Sequence, residues 1–301
     1  MTAMKAAHRA PDRTAATERL VLSHFTLARS HPIDDRIEAA RSAGIESIGL
    51  FAGQYLQLLS TGWSPTRIHE LLDEANVEIR QVEALSGWGA ADPSSDYLGF
   101  EQAVWAMVDE FDSSYVQAIG PYDGDIGDAA ARFGALCDRG AEHGVTVGLE
   151  FLPFTNIVDA DDARRIAEQA DRPNGGVCVD IWHHARGAND LGLIERLPPE
   201  LIVGIQMSDG PAEPAIADYK DDCIRNRVPP GDGSFEVDQF VTTLLDMDLD
   251  LPWDLEVCND DTWGQPATAY VAACADGMRA VLERCLDGRP LQKLQGERDR
   301  T

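Results

Sequence analysis

The sequence lacks the features that mark membrane proteins, disulfide-rich domains and dinucleotide-binding domains. No segment approaches the roughly 18 unbroken apolar residues that a membrane-spanning helix needs. The six cysteines form no C-x-x-C pair and no regular framework, which argues against a structural zinc site and a disulfide scaffold. No glycine fingerprint follows the first predicted strand, so a dinucleotide-binding half has no support. These absences favour a globular protein of the reduced cytoplasm.

Basic residues are scarce as well. The chain carries 25 Lys and Arg against 52 Asp and Glu, which gives a formal net charge of −27. A surface this negative repels nucleic-acid phosphates and anionic lipids, so we expect neither nucleic acid nor membrane as a partner. The expected partner is a small molecule, and the sequence leaves the oligomeric state open, a homo-oligomer included.

The apolar residues that are present suffice for one large domain. The chain has 301 residues, 44% of them hydrophobic, and no low-complexity tract or linker divides it. Residues 1–19 have no apolar segment of the signal-peptide kind, and we interpret them as a flexible leader. Residues 20–286 are predicted to form a single catalytic domain, and residues 287–301 a polar tail.

The predicted domain alternates short apolar runs with helical stretches, and eight such pairs can be counted. The strands are predicted at 20–26, 46–51, 77–85, 114–119, 145–151, 177–181, 202–207 and 253–257. Helices are predicted to begin near Pro32 and at Pro65, to cover 97–111, to end at Gly144, and to cover 159–170, 191–197, 236–245 and 265–286. Eight β/α units with continuous apolar strands predict a parallel (β/α)8 TIM barrel, with a doubly wound open sheet as the alternative.

Polar side chains interrupt the apolar runs where the last four strands end. They are Glu150, Asp180, Gln206 and Glu256. The carboxyl ends of barrel strands meet at one face, and three carboxylates brought together there repel one another unless a cation is present. We therefore predict a divalent metal site. Oxygen donors suit Mn²⁺ or Mg²⁺, and Co²⁺ or Zn²⁺ can also occupy such a site. For any one residue the alternative is a strand-end side chain bonded to a loop amide.

These residues also carry a resemblance to a known superfamily. The shared pattern is Gly-Leu-Glu150, Val-Asp180-x-x-His183, a polar residue in the seventh strand followed by Ser208-Asp209, Pro230-Gly231-x-Gly233, and Leu-Glu256-Val. It resembles the sugar phosphate isomerase/epimerase superfamily with a xylose isomerase-like TIM barrel, over residues 20–286. The resemblance implies that the four strand-end residues bind the metal. Gln206 departs from the histidine of most epimerases and looks more like the dehydroshikimate dehydratase branch.

The resemblance also implies contacts with substrate. His183 is expected to act on a substrate oxygen as a hydrogen-bond donor or proton relay, and its packing against Trp182 is the alternative. Arg225 and Arg227 alternate in the loop before the Pro-Gly turn, so one is expected to face an oxygen-rich or anionic ligand. We prefer Arg227 because it lies nearer to that turn.

Two further polar residues and three tryptophans are expected around the same mouth. Glu83 and His24 lie at the ends of the third and first predicted strands, either in contact with the substrate or as a neutral pair beneath it. Trp182, Trp88 and Trp263 are candidates for an apolar wall against a substrate ring, with packing in loops as the alternative.

The function expected first is a divalent-metal-dependent isomerase or epimerase of a polyhydroxylated keto compound. A base would remove the proton beside a carbonyl, and the cation would hold the resulting enediolate. The likeness to epimerases implies that Glu150 and Glu256 are the acid/base pair, whereas His183 would be the acid that assists loss of a hydroxyl in a dehydration. The alternative is a dehydratase of the 3-dehydroshikimate or inosose type, which shares the first step. An abasic-site endonuclease needs more histidines and a basic face, and a non-enzymatic subunit would lack some of the four ligands.

Overall fold

The strands of this chain close into one barrel in the computed structural model, which describes residues 19–259, 262 and 264–287. The strands are β1 (Leu20–Leu22), β2 (Ser47–Phe51), β3 (Glu78–Ser86), β4 (Tyr115–Ile119), β5 (Thr146–Glu150), β6 (Gly175–Asp180), β7 (Ile202–Met207) and β8 (Trp253–Leu255). Each strand pairs in parallel with the next, and β8 pairs with β1. The predicted TIM barrel is confirmed. Nearly all of the predicted leader and tail, and Trp263, lie outside the described residues.

Helices follow the strands around the outside of the barrel. Among the described residues they are α1 (Ile33–Ser42), α2 (Ala52–Ser60), α3 (Pro65–Ala75), α4 (Ser95–Phe111), α5 (Ile126–Glu142), α6 (Ala160–Ala170), α7 (Ile181–Arg186), α8 (Leu191–Glu195), α9 (Tyr219–Arg225), α10 (Val237–Asp246) and α11 (Ala267–Asp287). None of these described helices is both long and apolar enough to cross a bilayer. All six cysteines are buried, and none of them forms a disulfide with another described residue.

Three helices were not predicted, and the first strand is shorter than predicted. Two of them begin at an aspartate cap: Asp180 accepts a hydrogen bond from the Trp182 amide at 2.7 Å, and Asp218 accepts one from Asp221. The third, α2, starts directly after β2, and its N-cap residue Phe51 has no capping side chain by which the helix could be predicted. After β1 the chain turns into a short 3-10 helix, because the Ser23 side chain accepts the Phe25 amide.

Polar side chains and glycines share the inside of the barrel. The ring of Tyr115 occupies the space beside Gly148 and Gly204, where any added Cβ atom would strike its hydroxyl. A Cβ atom at Gly49 would strike the Glu83 carboxylate. The glycines on these strands therefore leave room for large polar groups in the barrel interior.

A buried arginine on α1 fixes the loop after β1. The Arg36 guanidinium donates to the carbonyls of His24 at 2.7 Å, Ala28 at 2.5 Å, Leu27 at 3.1 Å and His31 at 3.2 Å. Burial lowers the pKa of Arg36 to about 10, against the opposing charge of Glu83. One side chain therefore satisfies the carbonyls of a loop that makes no ladder of its own.

We expect Arg36→Met to destabilise the protein by about 3 kcal/mol, because buried carbonyls would lose their donor. Chemical unfolding followed by circular dichroism measures this loss. Arg41→Met on the same helix is the matched control, since Arg41 only pairs with Glu38 at the surface. The control should stay within about 0.5 kcal/mol of the parent. Equal effects of the two replacements would contradict this role of Arg36.

Candidate functional site

The four predicted ligands all lie at the carboxyl ends of their strands. Glu150 and Asp180 are the last residues of β5 and β6, Gln206 is the last but one of β7, and Glu256 directly follows β8. All four side chains are buried. They therefore meet at the face of the barrel where this fold carries its chemistry.

Glu150, Asp180 and His183 form a compact group of possible ligand atoms. One atom from each lies within 4.8 Å of the other two. His183 Nε2 is 3.2 Å from Glu150 Oε1 and 3.5 Å from Asp180 Oδ2. The short helix α7 produces this arrangement, because Asp180 caps it and His183 follows three residues later on the same side.

Arg227 connects Asp180 to Glu256. A single guanidinium nitrogen, Nη1, lies 2.9 Å from Asp180 Oδ2 and 3.1 Å from Glu256 Oε2. The Arg227 Nε atom also donates to the Cys223 carbonyl at 3.1 Å, and the guanidinium lies over the ring of Trp182. Arg227 thus neutralises part of the charge of two predicted ligands and fixes their separation.

Gln117 connects Gln206 to Glu150. The Gln117 Nε2 group donates to Glu150 Oε2 at 2.5 Å and to Gln206 Oε1 at 3.3 Å. We did not single out Gln117 from the sequence, although it interrupts the apolar run of β4 as Gln206 interrupts β7. All four predicted ligands consequently belong to one network, although their role as ligands stays a prediction.

The carboxyl groups of the network are buried and outnumber its cationic groups, and these two conditions shift their pKa values. Burial, followed by the charge of Asp180, raises the pKa of Glu150 well above its usual range. Burial also raises the pKa of Glu256, despite the opposing charge of Arg227. Carboxylate oxygens, an amide oxygen and an imidazole are donors that divalent cations accept, so these residues fit a metal ion.

Deeper in the barrel, two further carboxylates share one amide. The Gln81 Nε2 group lies 2.7 Å from both Glu83 Oε1 and Asp254 Oδ2. Glu83 also accepts from the Ser23 hydroxyl at 2.9 Å and from the His24 backbone amide. Burial raises the pKa of Glu83 against these hydrogen bonds. The predicted Glu83–His24 pair therefore exists through the His24 backbone, and a substrate contact of either side chain stays a prediction.

The imidazole of His24 is buried without a hydrogen-bond partner on either ring nitrogen among the described residues. Burial, and next the charges of Arg36 and Arg29, lower its pKa well below the usual range. The ring packs edge-on against Phe25 and near Phe51. His24 is accordingly a neutral polar group in an aromatic surrounding at the end of β1.

The two candidate arginines lie in different environments. Arg227 is buried in the network, whereas Arg225 is exposed on the last turn of α9. A role of Arg225 in substrate binding stays a prediction. Trp182 is fully buried against Phe235, under Arg227, so it forms the layer behind the site. Trp88 packs on Phe133 of α5.

Three residues on one side of the mouth were not predicted. Tyr219 Oη lies 2.9 Å from His183 Nδ1, and the two rings stack with an angle of 17°. The ring of Phe154 packs against both of these rings, and Lys220 lies over its face. The one available sequence signal for Tyr219 was that it directly follows Asp218, a residue type that commonly caps helices.

Asp209 explains the Pro-Gly part of the sequence pattern. Its buried carboxylate accepts the backbone amides of Gly210, Gly231, Gly233 and Phe235, at 2.7 to 3.1 Å. A Cβ atom on Gly233 would strike this carboxylate. The loop that carries Arg227 is thereby attached to the end of β7.

Comparisons with known proteins identify the family to which this chain belongs. A family model described as a xylose isomerase-like TIM barrel matches residues 37–281. The chain belongs to this family. The superfamily suggested by the sequence pattern is therefore confirmed, and it includes isomerases, epimerases and dehydratases.

Individual relatives are more distant. The chain is 25% identical to a 3-dehydroshikimate dehydratase of Pseudomonas aeruginosa over 264 residues, which cover 85% of this chain and 40% of that protein. A xylose isomerase-like TIM barrel/4-hydroxyphenylpyruvate dioxygenase fusion protein superimposes with a TM-score of 0.79 at 20% identity, covering 92% of this chain and 44% of that one. An IolI protein with a bound zinc atom gives a TM-score of 0.79 at 15% identity, covering 88% and 98%. The chain thus spans about 40% of the length of its curated relative, and the two structures support the fold.

We expect the metal-free protein to lose stability as the pH rises above about 4.5, the usual value for a glutamate. Because the pKa values of Glu150 and Glu256 are raised, the folded chain keeps protons that the unfolded chain has already released, so stability falls toward the folded pKa. Thermal unfolding of chelator-treated protein between about pH 5 and about pH 8 measures the slope. The slope should flatten in the E150Q/E256Q variant and on addition of Mn²⁺. An identical slope in the variant would contradict the assignment.

We expect Glu150→Gln, Asp180→Asn, Gln206→Ala and Glu256→Gln to weaken metal binding about tenfold or more, and His183→Asn to preserve it. Elemental analysis after loading with Mn²⁺ and desalting compares the variants. Glu150 and Asp180 belong both to the predicted ligand set and to the compact group. The variants of Gln206, Glu256 and His183 therefore decide which of these two sets binds the metal. Loss of metal in H183N with retention in Q206A and E256Q would replace the predicted set.

Proposed function

We propose that this chain is a divalent-metal-dependent dehydratase that removes water from a polyhydroxylated cyclic keto compound of the 3-dehydroshikimate type. The similarity to a 3-dehydroshikimate dehydratase across 85% of the chain supports this substrate class. Gln206 supports it too, because most epimerases of the superfamily resemble one another in carrying histidine there. The observation that carries the proposal is the buried contact of Glu150 Oε1 with His183 Nε2, at 3.2 Å.

Dehydration needs one group to accept a proton and a second group to supply one. In the proposed reaction the Glu150 carboxylate removes the proton from the carbon beside the substrate carbonyl. The electron pair forms a carbon–carbon double bond as the β-hydroxyl leaves, and His183 Nε2 supplies the proton with which it departs as water. One water is lost, and nothing is oxidised or reduced.

Tyr219 and Arg227 support these two groups. The Tyr219 hydroxyl, 2.9 Å from His183 Nδ1, fixes the imidazole so that Nε2 faces Glu150. Arg227 holds Asp180 and Glu256 at fixed positions through Nη1. The rings of Phe154 and Tyr219 pack against His183, which is buried, and burial strengthens the electrostatic interactions of its imidazole.

A metal ion fits the same site. Glu150, Asp180, Gln206 and Glu256 would hold it, and when bound it would supply Lewis-acid polarisation of the substrate's carbonyl and hydroxyl oxygens. The chain's own contribution is a buried proton acceptor and a buried proton donor that are already in contact.

An isomerase or epimerase is the second candidate. The observation that favours it is that both Glu150 and Glu256 are buried carboxyl groups with raised pKa, linked to Asp180 from two sides through His183 and Arg227. Such a pair could serve two faces of one substrate carbon, with one group accepting the proton and the other returning it.

Incubation in D₂O with Mn²⁺ separates the two candidates. The substrates are 3-dehydroshikimate, an inosose and a set of ketoses, and the products are followed by NMR. An unsaturated product with loss of water supports the dehydratase. Deuterium on the carbon beside the carbonyl with an unchanged formula supports the isomerase or epimerase instead. The absence of both exchange and turnover for every compound would reject the two together.

With the compound that turns over, we expect Glu150→Gln to lower kcat/KM at least about 100-fold, because the amide cannot accept the proton. Steady-state kinetics with saturating Mn²⁺ measures the change, so that weaker metal binding does not account for it. Arg41→Met on the outer face of α1 is the control and should match the parent enzyme. Full activity of E150Q would exclude Glu150 as the base.

A further inference from the structure

Gln206 differs from the other predicted ligands because its two ends are chemically unlike. An amide has an oxygen that can bind a metal and a nitrogen that can only donate hydrogen bonds. A half-turn about the last side-chain bond exchanges the two ends at almost no cost in shape. Something in the chain must therefore decide which end of Gln206 faces the metal site.

The side chain across the strand register from Gln206 is Asp254 on β8. It lies two residues before Glu256, so it points into the same barrel interior one layer deeper. Its Oδ2 atom accepts from Gln81 Nε2 at 2.7 Å. Its Oδ1 atom is buried and has no hydrogen-bond partner of ordinary length among the described residues. Oδ1 is therefore an acceptor open to a donor nearby.

Gln206 is the neighbour that can supply this donor. Both Gln206 and Asp254 line the same small internal space, together with Cys178. The open Oδ1 atom of Asp254 can accept a hydrogen bond, and the nitrogen end of Gln206 is the end that can donate one.

The oxygen end of Gln206 already meets two donors. Gln117 Nε2 lies 3.3 Å and Cys178 Sγ 3.5 Å from Gln206 Oε1. Gln117 cannot reverse its own amide, because the same Nε2 group donates to Glu150 Oε2 at 2.5 Å. The acceptor on one side and the donors on the other therefore select the same orientation of Gln206.

We infer that Asp254 is a positioning residue for the metal site, which keeps the nitrogen of Gln206 turned toward the barrel floor and its oxygen toward Glu150. This inference rests on the metal site of the proposed function. It goes further in assigning the orientation of one ligand to a residue that is not itself a ligand.

The test is a double-mutant cycle on Mn²⁺ affinity, measured by calorimetry on chelator-treated protein. Asp254→Asn offers a donor in place of an acceptor and should weaken Mn²⁺ binding about tenfold or more, as loss of an orienting partner does elsewhere. In Q206E both ends of the side chain are oxygens, so nothing remains to be oriented. Adding D254N to Q206E should then leave the affinity unchanged or tighter, because it removes a like charge.

Glu101→Gln, at a buried carboxylate outside the barrel that pairs with Arg139, is the control and should bind Mn²⁺ as the parent does. Thermal unfolding of each variant reports its fold. If D254N does not fold, Asp254→Ala removes the acceptor without adding a donor, and the same dependence on Q206E is expected.

Equal Mn²⁺ binding by D254N and the parent would overturn the inference and leave the proposed function standing. An equal loss in the parent and Q206E backgrounds would also overturn it, because Asp254 would then act independently of Gln206. Failure of the parent protein itself to bind Mn²⁺ would overturn both the inference and the metal-dependent part of the proposed function.

Discussion

An excess of buried negative charge is the constraint on which the interior of this barrel depends. Carboxylates from β3, β5, β6 and the β8 end of the barrel lie out of contact with water, and one guanidinium, from Arg227, lies among those at the mouth. Burying such groups is costly unless donors surround them. The amides of Gln81 and Gln117 and the Ser23 hydroxyl supply those donors, so hydrogen bonds replace part of the apolar layering that usually fills a TIM barrel.

The loops at the mouth place a cationic side chain and hydrogen-bond donors next to these carboxyl groups. Arg227 reaches Asp180 and Glu256 from the segment after α9, and Asp209 attaches the following Pro-Gly turn to β7 through backbone amides. Arg227 is thus a positive charge, supplied by the chain itself, next to Asp180 and Glu256. It gives the barrel a positively charged partner for two of its buried carboxyl groups.

The fold was predictable because eight continuous apolar runs alternate with helical patterns, and a parallel barrel is the arrangement that buries both faces of such strands. The mouth residues followed from the same reasoning, since a polar group at the end of a buried strand needs a hydrogen-bond partner or an ion. What the sequence did not provide is how these groups are connected. Gln117 and Asp254 lie within their strands and not at the strand ends. The pairing of Arg227 with Asp180 joins residues that are 47 positions apart in the sequence.

Two helices at the mouth, α7 and α9, could not be predicted from the local sequence. Asp180 and Asp218 are helix caps, but a capping aspartate after a strand or in a long polar segment has the same composition as a loop. The consequence was that His183 and Tyr219 could not be brought together from the sequence, because their contact depends on α7 and α9 facing each other. For His24, the sequence predicted the place but not that neither ring nitrogen would have a hydrogen-bond partner in the described part of the chain.

The Tyr115 side chain packs against Gly148 and Gly204, so it connects three strands. This contact limits how the sequence of the barrel can diverge. A residue with a Cβ atom can enter at either glycine only if the Tyr115 side chain moves or is replaced, so substitution of each glycine depends on the residue at position 115. This dependence makes change at the barrel floor harder than change in the loops above. Descendants of this chain would therefore acquire new substrates by altering the rim while inheriting an unchanged floor.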